Sequence, residues 1–66
     1  MDDYLEPRRN RQILRLPAVM ARTGMGRSWI YREVKENRFP KPIKIDRASG
    51  WDSSLVDGWI AARLDG

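Results

Sequence analysis

The sequence predicts a mostly α-helical domain with a small β-hairpin, and three observations carry that reading. Two apolar stripes at helical spacing flank the "GMG" turn at 24–26; prolines at 40 and 42 end helical structure and hand over to the alternating "IKI" of 43–45; a third apolar stripe follows Trp51. Sixty-six residues make one domain, and a chain this short buries only about 60% of its unfolded surface, which leaves no room for a large enclosed substrate pocket. It has no cysteine and no histidine, so disulfides, thiolate chemistry and the commonest zinc ligands are excluded.

Residues 1–12 mix charges of both signs with a proline and few apolar side chains, the composition of a flexible arm, and the folded domain is expected over 13–66. "ILRL" (13–16) alternates like a very short strand. Pro17 then stands where proline is favoured, at the start of a helix. At 100° per residue Leu16, Val19, Met20 and Thr23 share one side of that helix, and Gly24 ends it in the left-handed conformation. Met25, between two glycines, is expected to dip into the core.

A second helix is predicted over about 27–37. On its wheel Ile30, Tyr31 and Val34 cluster on one side, whereas Ser28, Trp29, Arg32 and Glu36 lie on the other, so Trp29 is expected to face away from the core. Tyr31 borders the apolar arc and reads as structural, with its hydroxyl at the surface. Ile43 and Ile45 share a strand face and Lys44 takes the other; "DRASG" (46–50) is turn-rich, which makes 43–51 a hairpin with a basic tip. The final helix starts near Asp52–Ser54, where Ser54 and Asp57 have the spacing of a capping box, and Leu55, Val56, Trp59, Ile60 and Ala62 give it a broad apolar face. Trp51 and Trp59 read as core.

Helix, glycine turn, helix, hairpin and closing helix is the order of a winged helix-turn-helix domain. Charge supports a polyanion partner. Between Pro7 and Arg47 there are twelve Lys and Arg against three acids, while the remainder carries one Arg against six acids. In this fold the second helix enters a major groove about 12 Å wide, so Arg27, Ser28, Trp29, Arg32 and Lys35 are the candidate DNA contacts on it. Lys41, Lys44 and Arg47 are the candidates for the DNA backbone or minor groove. Glu33 and Glu36 oppose phosphate unless each pairs with a neighbouring base such as Arg32 or Lys35.

Over residues 13–62 the segments "LRLPAVMARTG" (14–24), "RSWIYREV" (27–34), "RFPKPIKI" (38–45) and "GWDSSLVDGWI" (50–60) resemble the AlpA family of prophage-type transcriptional regulators, relatives of excisionases and MerR-like winged domains. The resemblance implies a DNA-binding regulator encoded with integrases or mobile elements and lacking enzymatic activity. The chain departs from that pattern at Gly26, where a capping serine is usual, at Trp29, where a small polar residue is usual, and at Glu33, where an apolar one is usual.

The function expected is sequence-specific transcriptional regulation, with double-stranded DNA as partner and either RNA polymerase or an integrase as protein partner. Two rivals are an excisionase that bends DNA and recruits an integrase, and a protein-interaction adaptor anchored by Trp29. An enzyme is not expected, because no nucleophile, base or metal set is legible, and no cofactor is implied. The acidic opening "MDDYLEPRRN" lacks the basic and apolar segments of a signal peptide, and no apolar run approaches the roughly 20 residues of a membrane span, so a cytoplasmic location is expected.

Overall fold

The computed structural model describes residues 11–66; the arm expected over 1–12 lies outside them except for Arg11 and Gln12. The elements run β1 (Ile13–Leu14), α1 (Leu16–Thr23), α2 (Arg27–Lys35), β2 (Ile43–Ile45), β3 (Ala48–Asp52) and α3 (Ser53–Asp65). Three helices and a small antiparallel sheet are compatible with the winged helix-turn-helix read from the sequence.

Helix α1 has Pro17 in its first turn and stops at Gly24, whose φ of 74° is left-handed and whose N–H donates to the Met20 carbonyl at 2.8 Å. Val19 is buried, with Leu16, Ala18 and Met20 packed beside the core. Thr23 ties off the helix: its hydroxyl donates to the Val19 carbonyl at 2.8 Å and accepts from the Met25 N–H at 3.2 Å. Met25 does not dip into the core. It is 38% exposed, because the turn that begins at left-handed Gly24 carries it out toward water.

The hairpin forms as expected, with Ile43 opposite Gly50, Lys44 opposite Ser49 and Ile45 opposite Ala48, and with Asp46 at a φ of 54° in the turn. The short strand expected at 13–16 forms over Ile13–Leu14; what the sequence did not reveal is its pairing with the hairpin. β1 pairs with the far side of β3, Ile13 opposite Asp52 and Leu14 opposite Trp51, giving the order β1-β3-β2. Gly50 makes that crossing possible, since a Cβ there would overlap the Ile13 side chain. Ile43 and Ile45 share one face, and that face is open to solvent.

Helix α3 is capped by Asp52 rather than by the expected Ser54–Asp57 box. The Asp52 carboxylate accepts from the Ser54 N–H at 2.9 Å and from the Ser54 hydroxyl at 2.7 Å, and Arg11 donates to it from β1's approach. Asp57 is taken instead by Arg22 of α1, at 2.6 and 2.8 Å. Gln12 and buried Ser53 lock the same corner, the Gln12 N–H donating to the Ser53 hydroxyl at 2.7 Å and the Ser53 N–H to the Gln12 carbonyl at 2.8 Å. The apolar face of α3 is narrower than its sequence suggests: Val56 is buried, Trp59 and Ile60 pack against the core, but Leu55 is 55% exposed and Ala62 is also in solvent. So small a domain covers only one edge of its closing helix.

The core consists of Leu14, Val19, Ile30, Phe39, Trp51 and Val56. Trp51 is fully buried and its indole N–H donates to the Pro40 carbonyl at 2.8 Å. Among the described residues, no helix is long and apolar enough to cross a membrane.

Candidate nucleic-acid interface

The face that α2 presents is set by what lies beneath it, and that differs from the sequence expectation. Trp29 does not face away from the core: its ring meets Phe39 edge-on at 6.4 Å and Trp59 at 5.9 Å between centroids, and Phe39 meets Trp59 at 5.0 Å. The partly buried Trp29 thus belongs to a three-ring cluster bridging α2, the segment after it and α3. Arg63 lies over the Trp59 ring, 4.7 Å from its centroid, and the Trp59 indole N–H donates to the Arg38 carbonyl at 2.8 Å.

Glu33 explains how the helix can be turned this way. Its side chain sits on the inner arc, only 7% exposed, where a lone carboxylate would be costly. Arg38 answers it with two bonds, at 2.8 and 3.1 Å, and the Arg38 N–H donates to the Glu33 carbonyl at 2.8 Å. The chain can fold back so tightly because α2 ends at Lys35 and Asn37 is left-handed, with a φ of 64°. Arg38's hydrogen bonds hold the Glu33 carboxyl below the usual carboxylate range against the opposing effect of burial. Arg32 is a weaker partner at 3.8 Å, and Lys35 makes no bridge to this acid.

Trp29, Ile30, Glu33 and Val34 therefore form the inner arc, and the helix is rotated by about 80° from the wheel drawn on Ile30, Tyr31 and Val34 alone. The outer arc holds Arg27, Ser28, Tyr31, Arg32 and Lys35, all exposed. Four of the five α2 candidates are thus brought together on one surface. The fifth, Trp29, is set behind it. Lys41, in the segment before β2, Lys44 on β2 and Arg47 in the hairpin turn are exposed as well. Among the described residues no carboxylate lies within salt-bridge distance of Arg27, Lys35, Lys41, Lys44 or Arg47, in contrast to Arg11, Arg22 and Arg38, whose charges are engaged by Asp52, Asp57 and Glu33. No side chain caps the start of α2, where Gly26 stands.

Two features escaped the sequence reading. Tyr31 lies within the outer arc, 42% exposed, with its ring tilted against Trp51 at 6.1 Å. Glu33 pairs with Arg38, beyond the helix end, and the signal for that was an acid and a base five residues apart across a predicted helix terminus.

Compared with known proteins, the chain matches the family described as Prophage CP4-57 regulatory protein (AlpA) over residues 12–64. It is 34% identical over 56 residues to the uncharacterized protein ORF88 of Enterobacteria phage P4, a match covering 83% of this chain and 64% of the phage protein. It is 36% identical over 59 residues to the DNA-binding transcriptional activator AlpA of Escherichia coli (strain K12), covering 79% of this chain and 84% of that protein. The chain thus spans less than two thirds of the phage protein's length. No solved structure matches it.

Proposed function

The chain belongs to the AlpA family, and from that premise we propose that it is a sequence-specific DNA-binding transcriptional regulator of phage or mobile-element genes. In this reading α2 enters the major groove with Arg27, Ser28, Arg32 and Lys35, while Lys41, Lys44 and Arg47 reach the backbone or minor groove from the hairpin side. The observation that carries it is the division of cations. Arg11, Arg22 and Arg38 pair with carboxylates that hold the fold together, while Arg27, Lys35, Lys41, Lys44 and Arg47 are exposed and unpaired among the described residues and Arg32 has only a 3.8 Å contact to Glu33. A protein gains nothing in stability from leaving like charges on one helix and one hairpin without partners; a phosphate backbone supplies the missing counter-charge. The name of the E. coli relative, a DNA-binding transcriptional activator, agrees with this use. Trp29 supports the surface from behind, which weakens the idea of a free tryptophan anchoring a partner protein.

Salt titration tests the reading. Six phosphate contacts, one for each of Arg27, Arg32, Lys35, Lys41, Lys44 and Arg47, give a slope of log K against log salt of roughly −5, and Lys44→Ala reduces its magnitude by about one. A slope near zero for the unaltered chain on duplex DNA refutes the proposal.

A further inference from the structure

We propose that Tyr31 is a specificity-determining contact of this surface, its phenol hydroxyl hydrogen-bonded to a base edge in the major groove; the inference rests on the DNA-binding reading above. The sequence alone assigned Tyr31 to the edge of the core, and the rotation of α2 places it on the outer arc, between Arg27 and Lys35. Arg27 stands one turn before it and Lys35 one turn after, on the same stripe. At a rise of 1.5 Å per residue those two cations are about 12 Å apart along the helix, close to the width of the major groove. With Arg27 and Lys35 drawn to phosphates, the side chain between them meets the base edges.

Tyr31 is also prepared for that role. The inner side of its ring rests on Trp51, 6.1 Å between centroids at a 54° tilt, and Trp51 cannot yield because it is fully buried and hydrogen-bonded to Pro40. The phenol is therefore oriented before any ligand arrives, and a side chain with two rotatable bonds has little freedom left to lose. Among the described residues its hydroxyl has no hydrogen-bond partner. A hydroxyl that both donates and accepts can read the acceptors of guanine, adenine or thymine and the amino groups of adenine or cytosine.

The test uses the full chain, a duplex enriched from a randomised library by that chain, and a scrambled duplex of equal composition. Tyr31→Phe keeps the ring on Trp51 and should melt like the parent, yet bind the enriched duplex about threefold to tenfold more weakly. Its affinity for the scrambled duplex and its salt slope should be unchanged. Tyr31→Ala, compared at temperatures where it is folded, should lose more than the Phe variant on the enriched duplex only. If Tyr31→Phe binds both duplexes as the parent does, the residue is structural and the inference is overturned. Equal loss on both duplexes would make it a sequence-independent contact, such as a neutral hydrogen bond to phosphate, which overturns it too. Failure of the unaltered chain to bind duplex DNA in a salt-dependent way would bring down the DNA reading itself, and is distinguished from the other outcomes because no variant is needed to see it.

Discussion

Truncating Trp29 separates the structure from the sequence expectation most sharply. A tryptophan on an open face can be cut to alanine at almost no thermodynamic cost; one that closes a ring cluster cannot. Trp→Ala in a sealed core costs about 3–5 kcal/mol. Trp29 keeps part of its surface in water, so roughly half of that applies, about 2 kcal/mol, and its edge-on contacts with Phe39 and Trp59 each add about 0.5–1.5 kcal/mol. Even at the low end of that range the expected loss is about 3 kcal/mol, against a total stability of only about 3–10 kcal/mol for a domain of 66 residues. In a thermal melt followed by far-ultraviolet circular dichroism this lowers Tm by about 12–24 °C. Trp29→Phe retains a ring between the same neighbours and should lose about half as much. Arg32→Ala, on the outer arc, should melt within about 4 °C of the parent while weakening DNA binding. If Trp29→Ala melts as close to the parent as Arg32→Ala does, the ring cluster is not closed by Trp29 and the orientation of α2 described above is wrong.

Acid should unfold the domain through two carboxylates. Asp52 is held well below the ordinary range by the Arg11 hydrogen bonds first and by Ser54's hydroxyl and N–H next, and Glu33 is lowered by Arg38. A carboxyl whose pKa is depressed by folding stabilises the folded state above its unfolded value, near 4, and that contribution fades as pH falls through the folded value; Tm should therefore be flat from about pH 5 upward and drop below about pH 4. Asp52→Asn, which still caps α3, should make the drop shallower, and a Tm that stays level in the parent down to about pH 2 would contradict the assignment. Gly24→Ala should cost about 1–2 kcal/mol through the left-handed φ alone, because no atom lies within 4 Å of the added Cβ; a denaturant midpoint equal to the parent's would show that the turn is not held in that conformation.

Elements fixed by neighbours in sequence were legible. Gly24 after Thr23 marked the end of α1, Pro17 its start, and the prolines at 40 and 42 the change to extended chain. Features that depend on distant partners were not. The wheel of α2 was drawn from Ile30, Tyr31 and Val34, whereas its true inner arc is set by Phe39 and Trp59, which approach only after the chain has folded back. Glu33 worked against the correct reading, since an acid argues for an outer position until its pairing with Arg38 is known. The cap of α3 failed for a local reason: Ser54 and Asp57 satisfy the spacing, but Asp52 stands closer to the helix start and Asp57 is drawn to Arg22. The exposure of the cations on α2 and the hairpin could be read from residue type and position; the exposure of Tyr31 was hidden by its aromatic character, which reads equally as core.

Buried Trp51 and partly buried Trp59, which packs against the core rather than within it, use their N–H groups in the same way, Trp59 on the Arg38 carbonyl and Trp51 on the Pro40 carbonyl. Residues 38–40 lie in the strap (36–42) that joins α2 to the hairpin, so the strap is splinted from two directions, by one fully buried side chain and by one packed against the core. The angle between α2 and the hairpin is therefore a property of the free protein. If α2 and the hairpin bind DNA as proposed, association proceeds as the docking of one preformed body, with no ordering entropy charged against affinity at the hinge, and duplexes whose groove spacing does not match that fixed angle deform or are rejected.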